Sequence, residues 1–285
     1  MTAMRTAGWT ESISVLDRIT TVFEAFGETE GMGVTELARR ANLPKSTVSR
    51  IAADLVGQRL LDREGDVLHL GVRLFELGQT VERPRRLRAL AHPVMTELRN
   101  VTGHTVHLAV LDDRDVVLLS VVRGRTDDPS CAVVGSRLPA HATALGKALL
   151  AFSPSDRTAP YLLEGALPRR TPNTICDPAA LVRELGEVRR NGVAFEREEC
   201  DVGRACVAGA ILSLGTVPKA AISVTGPPPV IAEERVAAAV RSAAITLGRR
   251  VDAREDRSLE ETKRVGHPAP TRSPTGQPAD SRIAW

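Results

Sequence analysis

Apolar residues recur at helical spacing in the first 60 residues of the chain. In residues 13–26 they follow the spacing i, i+1, i+4, i+7, i+8, i+11, which predicts an amphipathic helix that Ser12 caps. The residues that set this pattern are Val15, Leu16, Ile19, Val22, Phe23 and Phe26. Residues 27–33 lack a pattern and are predicted to form a loop, and residues 1–11 are expected to be a flexible arm.

Two shorter helices are predicted between Gly33 and Gly57. The pattern breaks at Asn42-Leu43, and Pro44 suits the first position of the second helix, where a missing N–H costs little. The residues spaced to face a core are Leu37, Ala38, Ala41, Val48, Ile51, Ala52 and Leu55. The outer face of the second helix keeps Lys45, Ser46, Thr47, Ser49 and Arg50. This arrangement, at about residues 33–52, is typical of a helix-turn-helix that reads the major groove of DNA.

Strand-like segments follow the second helix. Residues 60–63 and 67–70 flank the turn Glu64-Gly65-Asp66 and predict a β-hairpin. Three helices and a hairpin make a winged helix-turn-helix domain over residues 12–73, although a small helical domain with a solvated polar face is the alternative. Residues 72–82 are predicted to be helical up to an interruption at Pro84, with a linker helix over 74–86. A cluster of arginines in this region lies either near the DNA backbone or in a solvent-exposed connection between the two domains. Its members are Arg83, Arg85, Arg86 and Arg88.

The rest of the chain mixes strand and helix patterns. Ala91, Val94, Met95 and Leu98 mark a helix, and a hairpin follows over residues 104–111 and 116–122. Further strands are predicted at 131–134, 193–196, 205–214 and 219–225, with a turn at 215–218, and further helices at 139–152, 178–191 and 231–251. This order predicts an α+β sandwich with a mainly antiparallel sheet over residues 87–251. Residues 252–285 have almost no large apolar groups and are expected to be a disordered tail.

Composition excludes several classes of protein. A chain with 42% hydrophobic and 26% charged residues is typical of a globular protein, and no apolar run approaches the ~20 residues of a membrane span. We therefore expect no membrane partner, and because the four cysteines show no disulfide-framework density we expect a cytoplasmic protein. Residues 12–80 carry eight basic and ten acidic side chains, so DNA binding cannot depend on bulk charge. The hypothesis depends on a local cluster around the turn: Arg39, Arg40, Lys45 and Arg50.

Signatures of catalysis and metal binding are weak. The chain has no GxSxG, P-loop or GxGxxG pattern, and its four cysteines, Cys131, Cys176, Cys200 and Cys206, form no CxxC pair. His104, His107 and His141 leave a metal role as a minor alternative, but the odd spacing of His104 and His107 places them on opposite strand faces. Glu196, Glu198 and Glu199 lack a partner at a defined spacing. We expect no catalytic residue, no bound metal and no cofactor.

Four stretches of the sequence resemble the IclR family of bacterial transcriptional regulators. They are SISVLDRITTVFEAF, VTELARRANLPKSTVSRI, PAHATALGKALLAF and GVAFEREECDVGRACVAGAI…AAISVTGP, in family order from residue 12 to about 250. The resemblance implies a winged helix, a linker helix and a C-terminal GAF-like domain for effector binding and oligomerisation. It also implies dimers or tetramers on palindromic promoter DNA, because two recognition helices at fixed spacing read two half-sites.

The same resemblance implies an effector pocket between the start of the ALGKA helix and the sheet. Its lining would be Ala144, Leu145, Glu196, Cys206, Ser223 and Thr225. Ser223 and Thr225 share one strand face, and N–H groups at the helix start suit a carboxylate. The residues alone leave open a second interpretation, in which Cys206, Ser223 and Thr225 belong to an ordinary strand interior. Glu196 and Leu145 are larger or more apolar than small family residues would be, which argues against a very small, highly polar acid.

The sequence therefore predicts a ligand-responsive transcriptional regulator, a repressor rather than an activator, that an organic or aromatic acid controls. The rival hypothesis is a small-molecule-binding module or enzyme whose N-terminal domain serves only assembly.

Overall fold

A computed structural model describes residues 14–27, 29–125, 132–163, 165–214 and 217–265. The chain divides into two compact units, Met1–Arg85 and Arg86–Trp285. Each unit combines helices with an antiparallel sheet, so the predicted two-domain α+β class is confirmed. None of the described helices has the length and apolar character needed to cross a membrane. The arm expected at residues 1–11 lies outside the described residues.

Unit 1 is a winged helix-turn-helix. In chain order it contains α1 Val15–Glu24, β1 Met32–Gly33, α2 Val34–Arg40, α3 Lys45–Gly57, β2 Leu61–Glu64, β3 Val67–Leu70 and α4 Val72–Thr80. The three strands pair antiparallel in the order β1-β3-β2. The predicted inner faces of α2 and α3 are buried, with Leu37, Val48 and Ala52 fully inaccessible to solvent. They share one core with Phe26 and Leu68.

Three local predictions in unit 1 were wrong. The N-cap of α1 is Ser14 rather than Ser12, because Ser14 Oγ accepts from Asp17 N at 3.1 Å and Asp17 Oδ2 accepts from Ser14 N at 3.0 Å. The loop predicted over 27–33 ends in β1, where Met32 pairs with Leu68. Pro44 is the N-cap of α3 rather than its first residue, since its ψ of 137° is extended.

The junction after the wing also differs from the prediction. Helix α4 ends at Thr80, Val81 follows with an extended ψ of 98°, and α5 Glu82–Thr102 starts at the residue after Val81. Pro84 therefore does not interrupt a helix. It lies in the first turn of α5, where proline is tolerated because the N–H there has no intrahelical partner.

Unit 2 is built on a six-stranded antiparallel sheet. Its strands are β4 Thr105–Asp112, β5 Asp115–Val122, β6 Arg137–Pro139, β7 Ala194–Arg197, β8 Ala205–Ser213 and β9 Val217–Gly226, in the order β6-β5-β4-β9-β8-β7. Its other helices are α6 Ala144–Phe152, which follows a 3-10 turn at Ala140–Ala142, then α7 Ser155–Leu163, α8 Pro178–Asn191, α9 Pro228–Ile231 and α10 Glu234–Val265.

Both faces of this sheet are covered. Side chains such as Val106, Ile222 and Val224 pack against α5 and α10 on one face. Small residues, including Ala208 and Ala221, pack against α6 and α8 on the other. Alternate residues of each strand therefore belong to two separate cores, as the pleat requires.

Several elements of unit 2 depart from the prediction. Residues 132–134 of the strand predicted at 131–134 are not strand, and the edge strand is β6 instead, while Cys131 lies outside the described residues. Helix α7 was not predicted, because Pro160 interrupts its pattern. Strand β9 begins at Val217, inside the predicted turn at 215–218, and residues 215–216 lie outside the described residues.

The C-terminal helix is longer than predicted. Helix α10 reaches Val265, so residues 252–265 of the expected disordered tail are helical, and residues 266–285 lie outside the described residues. Asp252 anchors this part of α10. Its Oδ1 accepts a hydrogen bond from Ser213 Oγ at 2.8 Å and another from Leu214 N at 3.0 Å. These hydrogen bonds hold α10 against the end of β8. They are made at a position of α10 that lies beyond the last residue of its apolar pattern.

Candidate nucleic-acid interface and effector cavity

The turn between α2 and α3 sets the orientation of the second helix. Asn42 adopts a φ of 51°, a left-handed conformation that asparagine tolerates. Leu43 N then donates to Ala38 O at 3.1 Å, which closes the end of α2. Because α3 buries Val48 and Ile51, its opposite face is left to solvent.

That solvent-facing side carries all five residues that the sequence places there. Thr47 is half-buried, and the exposed residues are Lys45, Ser46, Ser49 and Arg50. All lie within the first six residues of α3, and no side chain caps its N-terminus. The first turn thus presents polar side chains together with unpaired backbone N–H groups, which is the chemistry that binds phosphate.

The arginines of α2 have a different environment. Arg39 Nη2 lies 2.6 Å and Arg40 Nε 2.8 Å from Glu36 Oε1, and Arg40 Nη1 also donates to Thr29 Oγ1 at 2.8 Å. Hydrogen bonds from Arg39 and then Arg40 lower the pKa of Glu36 to about 2. Both guanidinium groups therefore share one ionised carboxylate, whereas Lys45 and Arg50 extend from α3 into solvent.

Unit 2 contains a cavity between the start of α6 and one face of the sheet. The six residues assigned to an effector pocket all line it: Ala144, Leu145, Glu196, Cys206, Ser223 and Thr225. The structure thus brings together residues that are up to 81 positions apart (144 to 225) in the chain.

The strand register explains this convergence. Glu196 lies opposite Cys206 on β7 and β8, Cys206 lies opposite Thr225 on β9, and Ser223 lies opposite His107 on β4. Four neighbouring strands therefore direct polar side chains to the same face of the sheet. On the opposite wall, Thr143 Oγ1 accepts from Gly146 N at 3.1 Å and caps α6.

The polar side chains of the cavity form a chain of hydrogen bonds. His107 Nδ1 lies 3.2 Å from Thr225 Oγ1, which lies 3.1 Å from Cys206 Sγ. Cys206 also lies opposite Glu196 in the strand register, and the neighbouring carboxylate adds to the rise in the pKa of the Cys206 thiol. Glu196 Oε1 also accepts from Glu199 N at 2.6 Å and Cys200 N at 3.1 Å.

Burial shifts the pKa values of these groups. It is the largest cause of a raised pKa for both Glu196 and Cys206. Burial also lowers the pKa of His107 to about 4, and the charges of Arg204 and Arg123 act in the same direction. His107 is therefore a neutral imidazole at neutral pH.

A buried lysine on α6 forms ion pairs with two carboxylates, one of which lies in the loop next to Glu196. Lys147 of α6 is fully inaccessible to solvent, and its Nζ lies 2.7 Å from Glu199 Oε1 and 3.2 Å from Glu184 Oε1. The carboxylates at 196–199 thus have separate places: Glu196 lines the cavity, Glu199 pairs with Lys147, and Glu198 accepts from Gly203 N at 2.8 Å.

Sequence reasoning missed part of the cavity wall, namely His107, Leu118, Ala132, Leu138, Cys200, Asp201 and Arg204. His107 was considered only as a metal ligand. Its pairing with Ser223 joins residues more than 100 positions apart, which no local pattern reveals. His104 lies just before β4 rather than on it, and the described residues contain no cluster of three or more side chains suited to a metal ion.

Comparison with known proteins now assigns the family. Residues 15–65 match the IclR helix-turn-helix domain, and residues 79–252 match the bacterial transcriptional regulator IclR C-terminal domain. The chain belongs to the IclR family. It is a transcriptional regulator of the IclR type with a helix-turn-helix DNA-binding domain, as its resemblance implied.

Named IclR relatives cover most of the chain. The transcriptional repressor IclR of Escherichia coli (strain K12) is 32% identical over 239 residues, which are 82% of this chain and 87% of the relative. The repressor AllR of the same strain is 33% identical over 208 residues, 71% of this chain and 75% of the relative. An IclR homologue from Microbacterium hydrocarbonoxydans, crystallised with 4-hydroxybenzoate, has a TM-score of 0.76 and 31% identity, covering 85% of this chain and 100% of that chain.

Proposed function

We propose that this IclR-type regulator is a cytoplasmic repressor that binds a palindromic operator as a dimer or tetramer. An organic or aromatic acid bound in the cavity of unit 2 changes its affinity for the operator. The observation that carries this proposal is the single cavity that all six effector-pocket residues line. The names of the relatives support repression, and the Microbacterium homologue supports an aromatic acid such as 4-hydroxybenzoate as the first ligand to test. The proposed role needs neither catalysis nor a cofactor.

Helix α3 is the proposed reading element. Lys45 contacts a DNA phosphate and Arg50 contacts a guanine edge, while Ser46, Thr47 and Ser49 make shorter contacts to bases or the backbone. Arg39 and Arg40 add phosphate contacts at the turn. Because both already share the Glu36 carboxylate, we expect each to contribute less than Lys45 or Arg50.

Exposed apolar side chains support self-association. Helix α4 has no buried residue, and the side chains of Val72, Phe75 and Leu77 are 55%, 65% and 49% exposed. On α1, Val15 and Leu16 are 66% and 73% exposed although they belong to the predicted apolar face. A nine-residue helix with no fully buried residue is marginal in water, so a second copy of unit 1 is the proposed cover. Phe75→Glu should lower the mass measured by light scattering.

The start of α6 is the proposed site for the acid group. The Gly146 N–H is taken by Thr143 Oγ1 and the Lys147 N–H by Thr143 O. The N–H groups of Ala144 and Leu145 have no intrahelical partner by helix geometry, and they lie at the positive end of the helix dipole. A carboxylate bound there would accept hydrogen bonds from both.

Salt-dependent DNA binding tests the reading helix. An operator duplex is first selected from a random pool by the wild-type protein. Lys45→Ala should then weaken binding to every duplex and reduce the salt slope by about one unit, because one phosphate contact is lost. Arg50→Ala should cost about 1–3 kcal/mol on the selected duplex and relax one base position. Arg183→Ala, which changes an exposed residue of α8, is the control.

Two results would overturn the proposal. One is the absence of any DNA retardation by wild-type protein at low salt. The other is turnover of a ligand that survives deletion of residues 1–80 and is lost on changing Glu196. Effector binding is tested separately by thermal shift, since a ligand at 100 times its Kd stabilises the folded state by about 2.7 kcal/mol.

A further inference from the structure

Two buried polar atoms of the cavity lack a hydrogen-bond partner within the described part of the chain. They are His107 Nε2 and Ser223 Oγ, on side chains that are 5% and 1% exposed. His107 and Ser223 are direct cross-strand partners on β4 and β9, so their side chains lie next to each other on the cavity face. Buried polar atoms in folded proteins are normally hydrogen-bonded. This pair therefore indicates where a polar group of the ligand lies.

The hydrogen-bond chain behind His107 determines what its Nε2 offers. Burial raises the pKa of Glu196, whereas the two backbone N–H groups that donate to its Oε1 favour the ionised carboxylate, which only accepts hydrogen bonds. With Glu196 ionised, the Cys206 thiol on the neighbouring strand directs its proton to that carboxylate, and the Thr225 hydroxyl then donates to Cys206 Sγ. It follows that His107 Nδ1–H donates to Thr225 Oγ1.

A neutral imidazole that carries its proton on Nδ1 has a bare lone pair on Nε2. His107 is neutral because its burial and the charges of Arg204 and Arg123 lower its pKa to about 4. The ligand group that meets Nε2 must therefore supply a proton. Ser223 Oγ, on the neighbouring strand, can donate its own proton to the same ligand atom. A hydroxyl group satisfies both at once, since it donates one hydrogen bond and accepts another.

We infer that His107 and Ser223 form a specificity site for a hydroxyl group, so that the effector is a hydroxylated organic acid. The inference rests on the proposed function, which places the carboxylate of the acid at the start of α6. The hydroxyl then lies at the sheet end of the cavity. Glu196 acts as a positioning residue, because it sets the direction of the hydrogen-bond chain without needing to touch the hydroxyl.

The first experiment measures ligand selectivity by calorimetry at neutral pH. The probes are 4-hydroxybenzoate, benzoate and 4-formylbenzoate, whose 4-substituents respectively donate and accept, do neither, or only accept. Wild-type protein should bind the hydroxy acid about 10- to 100-fold more tightly than either of the others, because they leave buried polar atoms unpaired. Equal binding of the hydroxy and formyl acids would overturn the inference.

A reversal of the hydrogen-bond chain is the sharper test. Glu196→Gln keeps the acceptor for the two backbone N–H groups but presents an NH₂ donor to Cys206 Sγ. The chain then runs the other way, and His107 Nε2 becomes a donor. The affinity ratio of the hydroxy to the formyl acid should fall at least tenfold. Glu198→Gln, in the same loop but outside the chain, should leave the ratio unchanged. An unchanged ratio in Glu196→Gln would contradict the proposed role of Glu196.

The tautomer of His107 can be measured without any ligand. Long-range ¹H–¹⁵N spectra of the full chain labelled with ¹⁵N-histidine, with His107 assigned by its absence in His107→Gln, should show a protonated Nδ1 and a bare Nε2. A proton on Nε2 in the wild-type protein would overturn the inference whatever the ligands do. If the tautomer is as expected but none of the acids binds, the proposed class of effector is wrong and the acceptor role of His107 stands.

Discussion

Replacing Lys147 with methionine tests how the core of unit 2 supports the cavity. Methionine keeps much of the length of the side chain and removes its charge. In the wild-type protein Lys147 Nζ lies 2.7 Å from Glu199 Oε1, and the Glu199 side chain is 9% exposed. Glu199 Oε2 has no partner among the described residues, so Lys147 supplies its charge compensation. Glu184, the second carboxylate, is 26% exposed and can turn to water.

The expected loss in the free energy of unfolding follows from the difference in burial between Glu199 and Glu184. Removing one partner of a buried ion pair costs about 3–5 kcal/mol, because the other charge is left uncompensated. Burial already raises the pKa of Glu199, and Lys147 is the main influence that opposes the rise. In Lys147→Met the folded-state pKa of Glu199 should therefore rise further above its unfolded value of 4.5. A carboxyl with a raised folded pKa favours folding at low pH, and that contribution is lost as the pH rises through the folded pKa.

Urea unfolding at pH 5 and pH 8 measures the effect. Tyr161, the single tyrosine of the chain, is buried in the same core as α6 and reports the unfolding of unit 2. We expect Lys147→Met to lose about 3 kcal/mol at pH 8 and clearly less at pH 5. Adding Glu199→Gln should restore part of the loss at pH 8. A loss below about 1 kcal/mol, or one that does not depend on pH, would refute the reasoning.

Two further substitutions, His107→Gln and Gly146→Ala, each have a measurable effect on stability. The pKa of His107 is lowered from 6.5 to about 4, so its neutral form favours folding above pH 6.5, and about 3 kcal/mol is lost as the pH falls towards 4. The free energy of unfolding of His107→Gln, measured against pH, should lack that part of the slope; an identical slope would contradict the assignment. A Cβ at Gly146 would lie 2.2 Å from Ala140 O, so Gly146→Ala should lower both the melting temperature and the affinity for 4-hydroxybenzoate. Gly186→Ala on α8, where a Cβ would meet nothing closer than 3.7 Å, should instead stabilise by about 0.5–1 kcal/mol, and equal effects at both glycines would exclude the proposed close contact.

Local patterns predicted the elements whose residues carry their own signals. The predicted bounds of α8, Pro178–Asn191, are confirmed, with Asp177 capping its start and Gly192 at a φ of 75° after its end. The predicted inner face of α3 is confirmed. It could be predicted because a period of 3.6 residues is a property of one short segment. Predictions failed where the local helix pattern was weak, or where a contact with another part of the chain decided the structure. Helix α7 contains an internal proline, and α10 continues past its apolar stripe through the contact of Asp252 with the end of β8.

The sequence by itself determined the family, the winged helix-turn-helix and the two-domain α+β class, because periodicity, turn residues and family motifs are all local. It also named six residues that line one cavity. Only the tertiary structure decided that β4 lies beside β9, which brings His107 to Thr225 across 118 positions of the chain. Only the tertiary structure buries Lys147 against Glu199. Pairing between distant strands and the burial of a charge depend on how the whole sheet and its helices pack, and no single segment contains that information.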